Sequence, residues 1–205
     1  MSLFITFEGG EGCGKSTQTR ILYRRFQKLA VPAVLTHEPG VTDLGKKITA
    51  LLKWSKNIAI SPASELMLFN ASRAQLVKEL IKPELDKGSV VICDRYTDST
   101  VAYQSYGRGL DLKMVQTVNR ISTGGLKPDL TILLDLPVEK GLERKHDTKP
   151  DRFQTENISF HKRVRQGYLA LVKAEPERWM VVDGQQSREA IAGIIWQKIS
   201  RLLSL

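Results

Sequence analysis

Gly9, Gly14, Lys15 and Ser16 spell G-x-x-x-x-G-K-S directly after the apolar run Leu3-Phe4-Ile5-Thr6-Phe7. Glycines let such a loop wrap with its backbone N–H groups pointing inward, where they cradle the phosphates of a nucleotide. Lys15 is spaced to reach the β- and γ-phosphates, and the Ser16 hydroxyl to ligate Mg²⁺. On the order of one random chain in a hundred would match the pattern by accident, and far fewer with a strand before it and a helix after. The stretch Gly9, Gly10, Glu11, Gly12, Cys13, Gly14, Lys15, Ser16 and Thr17 is therefore the expected ATP-binding segment.

A second chemical signal ends another apolar run, where Val90-Val91-Ile92-Cys93 gives way to Asp94-Arg95-Tyr96. A GTPase needs an N-K-x-D motif to read guanine and a D-x-x-G switch, and the sequence has neither. A helicase or transport ATPase ends such a strand in Asp-Glu rather than Asp-Arg. The pair, the size of the chain and its basic charge point to a small-molecule kinase.

The elements that must position these groups alternate in type. Strands are expected at 3–7, 33–36, 90–93, 129–136 and 179–182, and helices at about 15–29, 43–52, 99–105, 112–123, 156–173 and 188–203. Ser61-Pro62 opens a long helix running toward Pro83, and Pro137 starts one that gives out in the polar stretch from Arg144 to Arg152. Strand–helix alternation with apolar strands predicts an α/β fold, a parallel sheet with helices on both faces. Ligands bind beyond the carboxyl ends of such strands. That rule gathers Gly9–Ser16, Glu38–Gly40, Asp94–Tyr96 and the loop after Leu136 on one rim.

A chain of 205 residues suits one domain. Its net charge of +9 fits phosphate-bearing partners, either nucleotides or nucleic acid. Two cysteines without a C-x-x-C spacing are what a reducing compartment permits. The first residues lack a signal peptide's charged and apolar regions, and no apolar run nears the roughly 20 residues that span a bilayer. A cytoplasmic protein without membrane contact is expected.

The chain resembles bacterial thymidylate kinases over nearly its whole length. The resemblance rests on Phe7-Glu8-Gly9, Glu38-Pro39-Gly40, Phe69-x-x-x-Arg73, Asp94-Arg95-Tyr96, Ala102-Tyr103-Gln104, Gly107-Arg108-Gly109, Pro128-Asp129-Leu130 and Asp151-Arg152-Phe153, in that order and spacing. It implies one domain of the P-loop NTPase fold over residues 1–205, with a five-stranded parallel sheet and a short lid at about 144–154. It further implies phosphorylation of dTMP to dTDP by MgATP, with a homodimer formed through helices and no nucleic-acid partner. By position, Phe69 would stack on thymine and Arg73 would hydrogen-bond its carbonyl edge. Arg95 would clamp the dTMP phosphate, while Asp94 and Ser16 serve the Mg²⁺. Glu11 would bind the sugar 3′-hydroxyl, Tyr103 would press on the deoxyribose, and Glu38, Thr100 and Gln104 complete the dTMP site. The lid carries Arg144, Lys145, Lys149 and Arg152, and would close over ATP.

Four departures from the family matter. Gln154 stands where relatives often have Glu. His37-Glu38-Pro39-Gly40-Val41-Thr42 replaces the usual Arg-Glu-Pro-Gly-Gly-Thr. Thr49 stands where an arginine toward the monophosphate is common, which makes Lys46 or Lys47 its candidate substitute. Gly12 stands where one branch carries an arginine, so Arg152, or failing that Arg144, is expected to bring catalytic charge from the lid. Kinases of UMP, CMP or dGMP, and a non-catalytic P-loop module binding nucleic acid, are the rival readings.

Overall fold

The computed structural model describes residues 2–55, 58–145 and 150–204. Five strands, β1 (Leu3–Glu8), β2 (Ala33–His37), β3 (Val90–Asp94), β4 (Leu130–Asp135) and β5 (Trp179–Asp183), pair in parallel in the order β2-β3-β1-β4-β5. The near-continuous apolar runs of β1, β3 and β4 fill the three central places, where both faces are covered. β5 exposes Val181 and Asp183, as an edge strand can. The chain places β2 and β3 on one side of β1 before crossing to β4 and β5 on the other, so its direction switches beside β1. Register aligns Phe7 with Asp94 and Glu8 with Leu133, and thereby brings the carboxyl ends of three strands to one rim.

Side chains alternate across the sheet. Leu3, Ile5 and Phe7 pack with Leu22 and Phe26 of α1 (Lys15–Lys28) and with Ile191, Ile195 and Ile199 of α9 (Arg188–Leu203). Phe4 of β1 joins Val91 and Cys93 on the other face, under Leu76 of α3 (Pro62–Leu76). Beside them Leu133 packs with Tyr103 and with Phe160, Val164 and Tyr168 of α8 (Ile158–Ala174). Truncating a buried ring such as Phe7 or Phe26 to alanine costs about 3–5 kcal/mol.

Two helices differ in detail from expectation. The helix entering at Pro62 passes through Pro83 and ends as α4 (Lys82–Asp86), after a π-helical stretch over Val77–Ile81. Proline has no N–H to offer the ladder, and the widened turn before it absorbs the loss. The helix expected near Ser99 starts earlier, as α5 (Thr97–Thr100), and widens into a second π-helical stretch over Val101–Gly107. That stretch carries Tyr103 and Gln104, and such wide turns recur at functional sites. α2 (Asp43–Trp54), α6 (Leu112–Thr123) and α7 (Val138–Glu143) lie where the sequence places them.

Candidate active site

The loop between β1 and α1 is shaped by close approaches that only glycine permits. At Gly9, with φ +136°, a Cβ would come within 2.6 Å of the Leu134 carbonyl oxygen. At Gly12, with φ +65°, a Cβ would lie 2.0 Å from the Gly141 carbonyl oxygen of α7. The backbone of α7 thus occupies the space an arginine at position 12 would need, which accounts for the glycine. Thr42, Ser61, Asp111, Asn157 and Ser187 cap α2, α3, α6, α8 and α9 with their side chains, whereas α1 begins at Gly14 without a side-chain cap. An uncapped helix N-terminus with its dipole is suited to a phosphate group.

Lys15 is buried along this loop, its Nζ donating to the carbonyls of Gly9 (3.0 Å) and Gly10 (2.7 Å) and to Cys13 Sγ (3.4 Å). Ser16 Oγ donates to Asp94 Oδ2 at 2.5 Å. A hydroxyl beside one carboxylate is a hard-oxygen donor set that suits Mg²⁺, which binds through one or two protein oxygens together with substrate phosphates. Among the described residues there is no cluster of three or more His, Cys, Asp or Glu that would form an all-protein cage.

Arg95 is the hub of the rim. Its φ is +73°, in the left-handed region. One terminal nitrogen donates to Gly9 O, Ser99 Oγ and Tyr168 Oη, and the other to Glu11 Oε1 (2.7 Å) and Tyr103 Oη (3.3 Å). Burial pushes the Glu11 carboxyl up, but Arg95, Lys15 and the Tyr103 hydroxyl outweigh it and bring the group down to about 2. Tyr103 also donates to Glu11 at 3.0 Å, and burial raises its phenol above the usual range. Beneath this layer lies Glu8, fully buried. It accepts from the Tyr96 and Ser99 N–H groups, from Ser99 Oγ and from Tyr168 Oη. Burial and the neighbouring Asp98 push it up to about 7, although Ser99, Arg95 and Tyr96 oppose the shift. Glu8 and Tyr168 support Arg95, and sequence reasoning gave neither a role. The visible signal was a carboxylate ending an otherwise apolar strand.

Two clefts open on the rim. One is lined by the loop from Glu11 to Thr17, by Asp94 and Arg95, and by Arg144 and Lys145. The other is lined by Phe69, Arg73, Thr100, Tyr103, Gln104 and Phe153. Glu11, Glu38, Lys53, Arg95 and Asp151 border both. The Phe69 and Phe153 rings meet at a tilt of 53° with centroids 5.6 Å apart. Gln104 donates to the buried Glu65 at 2.8 Å.

Arg73 differs from expectation in its engagements. It is 2% exposed, and every N–H of its fork has an acceptor, namely Glu38, Asn70, Asn119 or the Tyr96 carbonyl. It lies at the floor of the cleft as the counter-ion of Glu38, at 2.6 Å. Burial raises the Glu38 carboxyl against the pull of Arg73.

Arg144 and Arg152, the two arginines expected in a lid, point in different directions. Arg144 donates to the carbonyls of Gly12 (3.4 Å) and Gly184 (3.3 Å), beside the phosphate loop. Arg152 turns the other way, to Glu65 Oε2 (2.5 Å) and the Leu52 carbonyl (3.0 Å), with its guanidinium over the Phe153 ring. It lines neither cleft, so the structure does not bring it to the ATP phosphates. Lys149 lies outside the described residues. Gln154 accepts from the Asp151 N–H at 3.1 Å and closes a tight turn.

Thr49 spends its hydroxyl on the Gly45 carbonyl (2.8 Å), and a Cβ on Gly40 would lie 2.7 Å from the same oxygen. Neither candidate substitute reaches the clefts. Lys46 is exposed and paired with Asp43, and Lys47 is exposed. Lys53, one helical turn after Thr49, is the lysine of α2 that lines them.

The model of the thymidylate kinase family matches residues 7–195. Thymidylate kinase of Dehalococcoides mccartyi strain CBDB1 is 57% identical over 203 residues, covering 99% of this chain and 98% of its own. That of Roseiflexus castenholzii is 46% identical and covers 94% of this chain and 90% of its own. The crystal structure of thymidylate kinase from Ehrlichia chaffeensis superposes with a TM-score of 0.81 at 30% identity, covering 97% of this chain and 98% of that one.

Proposed function

This chain belongs to the thymidylate kinase family and phosphorylates dTMP to dTDP with ATP, and we propose that its two clefts divide that reaction between them. ATP lies along Gly9–Thr17, and dTMP enters the cleft of Phe69 and Phe153. The observation that carries this reading is the shared border of the clefts. An in-line transfer needs donor and acceptor phosphates to meet, and Arg95 stands where the clefts join.

The second ionisation of a phosphate monoester lies near pH 6, so dTMP arrives as an anion and needs no strong general base. Catalysis is then positioning and neutralisation of charge. Lys15 and Arg144 serve the donor phosphates, while Arg95 forks onto the acceptor phosphate. Ser16 and Asp94 would hold Mg²⁺, which neutralises charge on the β- and γ-phosphates when bound. Phe69 stacks on the base, with the tilted Phe153 ring at the edge of that stack, Gln104 and Thr100 border its edge, and Tyr103 with Glu11 meets the sugar. Two anionic substrates converging on one rim account for the charge of +9.

We further propose a homodimer. α2, α3 and α6 pack side by side and expose Leu44, Met67 and Ile121 toward solvent, the last 74% exposed. Ala63, Met67 and Ala71 form a low ridge at i, i+4, i+8 on α3, along which a second copy could approach closely. No helix among the described residues is long and apolar enough to cross a membrane, and Cys13 and Cys93 are free and buried, which supports a reducing cytoplasmic setting.

A coupled ATP-consumption assay over dTMP, dUMP, UMP, dCMP and dGMP tests the cleft assignment, with wild type compared to Phe69→Ala and Gln104→Ala. Preference for dTMP should shrink in both variants while KM for ATP holds. Unchanged base selectivity would move base recognition elsewhere.

A further inference from the structure

We infer that Lys53 is the second cation of the acceptor-phosphate subsite, with Asp151 as its partner. The inference rests on dTMP occupying the Phe69 cleft. Of the five residues that border both clefts, three are carboxylates, Glu11, Glu38 and Asp151, and two are cations, Arg95 and Lys53. The acceptor phosphate lies on that border, because its oxygen attacks the donor phosphate from one cleft while its nucleoside fills the other.

The charges decide what the border can hold. Arg73 compensates Glu38 at 2.6 Å, and Glu11 already takes up Arg95 at 2.7 Å. Without Lys53, Asp151 would leave the border negative, and a phosphate dianion would be repelled. The Lys53 ammonium stands 3.5 Å from Asp151 Oδ2, longer than an ordinary charged hydrogen bond, and its side chain is 32% exposed. It therefore has both the reach and the slack to take a phosphate oxygen.

The position of Lys53 is fixed by its backbone. Its carbonyl accepts from the Arg152 N–H (3.3 Å), and the Leu52 carbonyl accepts from Arg152 Nε (3.0 Å). The last turn of α2 and the segment carrying Asp151 and Phe153 are stitched together. A phosphate drawn to Lys53 thus reports to the strip that covers the base, and the earlier lysines of α2 point into solvent and cannot replace it.

The test compares dTMP with thymidine, which shares base and sugar but lacks the phosphate. Equilibrium binding of both is measured for wild type, Lys53→Met, Lys53→Gln, Lys53→Arg and Arg95→Met. In Lys53→Met and Lys53→Gln the preference for dTMP over thymidine should fall about tenfold, the size of one charge-assisted contact. Thymidine affinity should be unchanged, and Lys53→Arg should restore the preference to within about threefold. A preference intact in both neutral variants, but lost in Arg95→Met, overturns the role of Lys53 alone. A preference intact in Arg95→Met as well removes the phosphate from this border, and the cleft assignment falls with it.

Discussion

Arg95 holds a left-handed backbone, and replacing it by glycine or by alanine separates what that conformation costs from what the side chain does. Both substitutions delete the same hydrogen bonds, to Gly9, Glu11, Ser99, Tyr103 and Tyr168, and both leave Glu11 without its nearest cation. They differ only at the backbone. The Arg95 N–H donates to the Phe7 carbonyl at 2.9 Å and its own carbonyl accepts from Cys93 Sγ at 3.0 Å, so alanine is held at φ +73°. That conformation costs an L-residue roughly 1–2 kcal/mol and glycine almost nothing. Glycine loses about 0.4–1 kcal/mol through the greater freedom of the unfolded chain. The Gly variant should therefore be more stable than the Ala variant by about 0.5–1 kcal/mol, or about 2 °C in Tm for a chain of this size. Urea unfolding followed by circular dichroism reads the difference. Turnover should fall by about 10³-fold or more in both, since neither keeps the phosphate fork. If Arg95→Ala proves as stable as Arg95→Gly, no strain is stored at this residue and the reasoning is wrong.

Arg144→Ala should lower kcat by roughly 10²–10⁴-fold with little change in KM for dTMP, as loss of a catalytic arginine does. Arg152→Ala should instead raise KM for dTMP, because Arg152 braces Glu65 and Phe153; steady-state kinetics in which only Arg152→Ala lost kcat would reverse the two roles. Folding should carry the signature of Glu8, whose carboxyl rises from the ordinary 4.5 to about 7 on burial. Between those values the folded state binds more protons than the unfolded one, so this group's contribution falls as pH rises, by about 3 kcal/mol in all. Urea midpoints of wild type and Glu8→Gln should thus diverge from pH 4.5 to pH 7, in favour of the variant, and a constant gap would contradict the shift. Arg73→Met strands the buried Glu38 and should cost about 3–5 kcal/mol, most of it recovered by adding Glu38→Gln. Losses that simply add in that double-mutant cycle would show that the two are uncoupled.

Local rules carried far because most of the fold obeys them. Each strand announced itself as an apolar run, and the phosphate loop is a contiguous motif whose geometry follows from Gly9, Gly12 and Gly14 at positive φ, a lysine and a helix start. The rim followed from strand direction alone. What stayed hidden depends on contacts remote in sequence. Nothing near Gly12 says that Gly141 lies against it, so the clash that forbids an arginine is visible only in three dimensions. Arg152 sits in a basic stretch and reads as a lid cation, yet the buried Glu65, 87 residues away, draws it away from the phosphate loop. Lys46 and Lys47 lie near Thr49 in sequence but on the exposed side of α2. On a helix the residue four places on shares the face, and that residue is Lys53.

The same physics explains why so many carboxylates stand beneath a site built for anions. Glu11 holds Arg95, Glu38 holds Arg73, and Glu65 holds both Arg108 and Arg152. Buried ion pairs of this kind add little net stability, since desolvation consumes most of the attraction. Their effect is on position. An arginine left to itself on this rim would have several rotamers and would swing toward the first anion to arrive. Of these arginines Arg95 stands on the border of both clefts, where its pinned fork would need no reorganisation as charge develops on a transferring phosphate. The cleft of Phe69 and Tyr103 is walled by such pairs, whereas Lys15, Arg144 and Lys145 leave the cleft along the phosphate loop with an excess of positive charge. If ATP and dTMP divide between the clefts as proposed, this charge difference would give them their orientation. On the proposed assignment, polyphosphate would be drawn to one side, and the monophosphate would be admitted by its base and met at the border by Arg95.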